Sequence, residues 1–70
     1  MVRNELRAHM ARHGDTNETL AKALGISYVA FSQKINAKQS FTQSEIQIII
    51  NRYNLSPKDV HNIFFAPEVS

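Results

Sequence analysis

Three titratable residues share a spacing that could do chemistry. Glu5, His9 and His13 recur at i, i+4 and i+8. On a helix this puts them along one side, and two histidines four residues apart can share a zinc ion. No further ligand cluster accompanies them, His61 is remote, and there is no cysteine to supply a thiolate. The expectation is solvent-facing histidines, with Glu5 pairing to His9, and no metal. Catalysis has no better candidate. The serines stand mostly where helices would begin, and no activated nucleophile or pair of carboxylates emerges. Neither a catalytic residue nor a cofactor is expected, and Arg3, Arg7 and Lys58 read as solvated charges.

A second pattern lies in the charges. The chain carries eight Lys and Arg against six Asp and Glu, a net charge of only +2. No acid occurs between Glu18 and Glu45, and Lys22, Lys34 and Lys38 are the interval's only charged residues. An acid-free stretch of this kind suits approach to a polyanion. A few lysines on a solvated face would look the same.

Seventy residues make one domain at most. A chain of this size buries roughly 60% of its unfolded surface, too little for a deep cleft, so a small-molecule enzyme is disfavoured. The N-terminal MVRNELRAHM lacks the apolar run of a signal peptide. No segment approaches the ~18 apolar residues of a membrane span, so a cytoplasmic protein without membrane contact is expected.

Five helices must position whatever these residues do. Helix one is expected over about Arg3–His13, with Val2, Leu6 and Met10 as its apolar stripe and Gly14 as its stop. Helix two starts after Asp15-Thr16, with Thr16 as N-cap and Asp15 with Glu18 as an alternative capping box, and ends at Gly25. Three later helices repeat one start signal, an apolar residue, a Ser or Thr cap, then an apolar residue four further on. The signals are Ile26-Ser27 with Phe31, Phe41-Thr42 with Ile46, and Leu55-Ser56 with Val60. Thr42 with Glu45 reads as a capping box, and Pro57 takes the first helical position. Helix four, to about Tyr53, is expected to bury Ile46, Ile49, Ile50 and Tyr53. Helix five, to about Phe65, should bury Val60, Ile63 and Phe64. Nothing alternates like a strand, so the fold class is all-α, a compact five-helix domain over 1–66 with a short tail at 67–70.

The stretch NETLAKALGISYVAFSQKIN, Asn17 to Asn36, resembles the helix-turn-helix of phage repressor and Cro-like proteins. Leu20-Ala21 and Leu24-Gly25-Ile26-Ser27 carry the resemblance, and KINAKQSFTQSEI looks like small Cro-like products of temperate phages of Gram-positive bacteria. The resemblance covers nearly the whole chain. It implies a lambda-repressor-like domain in which helices two and three form the motif and the second reads the DNA major groove. One departure stands out: Lys34 occupies a position that is often apolar in the family.

With Phe31 set toward the core and 100° per residue, Ile35 falls on the buried face. The opposite side collects Val29, Gln33 and Asn36, with Ala30 and Ser32 at its edges. By resemblance, Tyr28, Val29, Ser32 and Gln33 match the family's base-reading positions. Gln33 can pair with adenine and Val29 can meet a thymine methyl. Asn17, Asn36, Lys38 and the amides near Thr42 and Gln43 suit phosphate contacts. The implied partner is double-stranded operator DNA, in a Cro-like regulator of a lysis–lysogeny switch. However, the motif has no arginine, the residue most often used to read guanine, and Tyr28-Val29-Ala30 is partly apolar. Such a surface equally suits a protein, and the alternative is an antirepressor that binds a phage repressor and blocks its DNA-reading surface. Ile48 and Phe65 are candidates for a homodimer contact.

Overall fold

A computed structural model describes residues 3–65. Each helix begins where a side chain can satisfy its free amides. Helix α1 spans Arg3–Arg12, α2 Asn17–Leu24, α3 Tyr28–Ile35 and α4 Gln43–Tyr53. Helix α5, Pro57–Val60, continues directly into a π-helical turn, His61–Phe65. No strand occurs among the described residues. The expected places of Val2 on the stripe of α1, and of the tail at 67–70, lie outside them.

The four expected caps are all formed. Thr16, Ser27, Thr42 and Ser56 accept from Thr19, Ala30, Glu45 and Asp59 amides at 3.1–3.2 Å. At α2 the capping box is Thr16 with Thr19 rather than Asp15 with Glu18: the Thr16 amide donates to Thr19 Oγ1 at 2.8 Å. Asp15 is left for another role. Each cap contributes about 1 kcal/mol, a sizeable share in a small domain. The exits are left-handed: Gly14 and Gly25 have φ of +72° and +73°, and Asn54 closes α4 at φ +51°. Gly25 returns the chain between α2 and α3 in three residues, where a Cβ would find space but an unfavourable backbone.

Leu6, Leu20, Phe31, Ile35, Ile49 and Ile63 are fully buried and come from α1 to α4 and the π turn, whereas α5 itself buries no side chain fully. Burying each contributes roughly 1.5–3 kcal/mol. Phe41 meets Phe31 and Phe64 edge-on, both at 6.1 Å, tying the α3–α4 loop to the C-terminal turn. Ile46, Ile50, Val60 and Phe64, expected in the core, are only partly buried because they sit at its rim. The Cα radius of gyration is 11.0 Å, matching the roughly 11 Å of a globular domain of this length.

The largest departure from expectation on α1 is His9. It is buried, not solvent-facing, with its ring lying 6.4 Å from that of Tyr53 and His13 stacked on Tyr53 at 4.7 Å. The same tyrosine donates to Asp15 Oδ2 at 2.6 Å, and Arg52 makes two bonds to that carboxylate at 2.7 and 2.8 Å. Thr19 Oγ1 donates to it as well, at 2.8 Å. Arg52, against the effect of burial and helped by Tyr53 and Thr19, holds the Asp15 carboxyl well below the usual range. Burial and the bond to Asp15 push the Tyr53 phenol up. Asp15, unremarkable in sequence, thus pins the α1–α2 turn to the end of α4.

Candidate recognition surface

The residues expected to meet a ligand fall on the outer side of α2 and α3. Tyr28 and Val29 open α3 and are 52% and 64% exposed, large values for an aromatic and a β-branched residue. Ala30, Ser32 and Gln33 are half-buried, so their outward access is narrower than the helical wheel implied. Asn17 is the first residue of α2, and with Thr16, Glu18 and Tyr28 it lines a shallow open depression. Asn17 and Tyr28 are therefore brought together, and an acid, Glu18, lies beside them.

At the other end of α3, Asn36 and Lys38 are exposed. The Lys38 amide donates to the Gln33 carbonyl at 2.8 Å, and Ala37 adopts φ +62°, left-handed although it is not glycine. That tight exit places Lys38 beside the helix end. Arg3 arrives there from α1: its Nη1 donates to Asn36 Oδ1 at 2.9 Å. Arg3 is exposed, as expected of a solvated charge, and makes this contact at the surface. The guanidinium absent from the motif's own sequence reaches its edge from thirty-three residues away. No local signal could have found it.

Lys34 is a correction. It is not one of the lysines available to a polyanion: only 8% exposed, its Nζ donates to Glu45 Oε1 at 2.6 Å. Glu45 is itself 7% exposed. Burial raises the Glu45 pKa, but the Lys34 ammonium and the Thr42 amide outweigh it and hold the carboxyl below its ordinary value. The acid-free interval therefore presents Lys22 and Lys38 outward, while its third lysine is neutralised by the acid that ends the interval. The sequence signal was Lys34 next to Ile35 on the apolar stripe.

The two patches considered for self-association are apart from this face in sequence. Ile48 is 37% exposed on α4, and Phe65, 64% exposed, borders an open groove with Phe41, Ile46 and Phe64. Among the described residues no three His, Cys, Asp or Glu converge on a common point, and no helix is long and apolar enough to cross a membrane.

A family model described as Protein of unknown function (DUF739) matches residues 4–67. The chain belongs to that family. The match covers all five helices of this DUF739 chain except Arg3, the first residue of α1. No curated protein and no solved structure matches it.

Proposed function

We propose that the chain is a sequence-specific DNA-binding transcriptional regulator, a Cro-like component of a phage lysis–lysogeny switch acting in the cytoplasm of the bacterial host. In this reading α2, the Gly25-Ile26-Ser27 turn and α3 form a helix-turn-helix of the lambda-repressor-like class. Helix α3 enters the major groove, with Val29 and Gln33 at base edges and Tyr28 and Ser32 at a base or phosphate. The observation that carries it is the outward face of α3, flanked at one end by Asn17 and at the other by Asn36, Lys38 and Arg3. An amide at one end of a short helix, and an amide with two cations at the other, are where phosphates of the two strands would pass. A homodimer would set two such helices about 34 Å apart.

Fluorescence anisotropy with a duplex from the gene's own promoter region, run across a salt series, tests it. Binding should weaken steeply with salt, and Lys38→Ala should reduce the slope by about one unit. Gln33→Ala should cost about 1–3 kcal/mol at a single base position. Equal affinity for random duplexes, or no binding at low salt, would sink this reading.

A second reading has its own observation. With Lys34 consumed by Glu45, and Glu18 beside Tyr28, the most exposed part of α3 is apolar and weakly charged. That surface suits an antirepressor that covers the DNA-reading face of a phage repressor. Co-purification with a phage repressor, if one is encoded beside this gene, discriminates the two. A complex lost on Tyr28→Ala, from a protein that never binds DNA, would establish the second reading over the first.

A further inference from the structure

Lys34 occupies a place its chemistry alone would not choose. The two side chains of the Lys34–Glu45 pair are 10% and 9% exposed. Taking two ions out of water costs several kcal/mol each, and a buried pair often stabilises a fold no more than apolar residues of the same volume would. Stability is thus a poor account of why a lysine and a glutamate stand here. Direction is a better one. Phe31 and Ile35 anchor α3 by apolar contact, which is non-directional and tolerates some roll of the helix about its axis. An ammonium held 2.6 Å from one oxygen, on a stem that is itself buried, narrows that roll. The acceptor is fixed in turn, because Glu45 Oε1 also accepts the Thr42 amide at 2.8 Å, within the capping box of α4. One oxygen therefore closes the start of α4 and anchors the last turn of α3.

The consequence for the outer face follows from helix geometry. At 100° per residue, Ser32 and Asn36 lie within about 20° of the pole opposite Lys34, and Val29 within about 40°. Whatever fixes Lys34 inward decides how these three point outward.

We propose that the Lys34–Glu45 pair is a positioning device that sets the roll of α3 against α4 and so determines which side chains the outer face offers. It rests on the reading of α3 as the recognition helix. Neither residue touches the ligand. The pair supplies specificity of orientation, not net stability.

The test is the double variant Lys34→Met with Glu45→Gln. Methionine keeps the stem, and glutamine can still serve a capping box. A thermal melt should move by only a few degrees. Amide residual dipolar couplings of the free protein should show α3 reoriented relative to α4, and affinity for the promoter duplex should fall tenfold or more. Glu45→Asp gives a second measurement. It keeps the charge and a capping residue that already works in the Ser56–Asp59 box of this chain, but draws the carboxylate back by one methylene. Its α3 couplings should shift part of the way, with a smaller loss of affinity. Unchanged couplings in both variants would overturn the proposal, as would a double variant that unfolds, which would make the pair a stability element. If the wild-type protein binds no duplex, the functional reading fails separately, and the couplings of the free protein still decide the role of the pair.

Discussion

Two polar crosslinks tie α4 to earlier parts of the chain, and they are built on opposite plans. At the C-terminal end of α4, Asp15 is served by Arg52 twice, by Tyr53 and by Thr19, in a cluster whose arginine is 38% exposed. At the N-terminal end, Lys34 has one carboxylate, and both groups are buried. The first is redundant: any one donor can be removed and the carboxylate keeps others. The second has one charged partner on each side: without Lys34 the buried Glu45 carboxylate keeps only the Thr42 amide, and without Glu45 the buried ammonium loses its carboxylate. Redundancy suits a joint that must hold the scaffold together. A single buried pair suits a joint that must hold one geometry, and this one lies on the side of α3 opposite Val29, Ser32 and Asn36.

Breaking the second joint on one side should have the largest effect. Lys34→Ala leaves the buried Glu45 carboxylate without a counter-charge, held only by the Thr42 amide, and should cost about 3–5 kcal/mol in a denaturant melt, whereas the neutral double replacement should not. If the single and double variants lose equal stability, the contrast between the joints collapses. Asp15→Asn should cost less, about 2 kcal/mol at neutral pH, because the amide still accepts from Tyr53 or Arg52.

The same variant carries a pH signature. The Asp15 carboxyl is depressed in the folded state, so its contribution is fully present above the ordinary carboxylate value and is lost as pH falls through the folded one. Wild-type stability should therefore decline on acidification below about pH 4, and Asp15→Asn should flatten that decline. Glu45, also depressed, adds a residual slope that the asparagine variant keeps.

Tyr53→Phe removes one donor of a redundant set and keeps the ring beside the two histidines. A loss of about 1 kcal/mol is expected, and a loss as large as that of Lys34→Ala would show the cluster is not redundant. Smallest in stability is Val29→Ser, within about 0.5 kcal/mol, because the side chain is mostly in water. If α3 has the proposed recognition role, its effect should appear as a tenfold loss of binding to the duplex or the repressor.

The helix starts were legible in the sequence because a cap is a local event. Thr16, Ser27, Thr42 and Ser56 each bond an amide three residues away, and no distant residue is needed to place them. The left-handed exits at Gly14 and Gly25 are equally local. The apolar stripes placed the centre of the core, Leu6, Leu20, Phe31, Ile35, Ile49 and Ile63, but not its rim, where Ile46 and Val60 stay partly exposed. Periodicity gives a direction on one helix and says nothing of how far a neighbour covers it.

Only the tertiary structure decided the polar side chains. His9 went inside because Tyr53 lies beside it, Arg3 reached Asn36 from the far end of the chain, and Lys34 turned inward because Glu45 waited there. A long charged side chain can satisfy itself in water or on any partner within reach. Which it does depends on what the fold brings near, and that distance is not written in its neighbours. The sequence by itself determined five helices and their beginnings. The tertiary structure decided that Glu45 would take α3's own lysine and that Lys38 and Arg3 would be the cations exposed at its end.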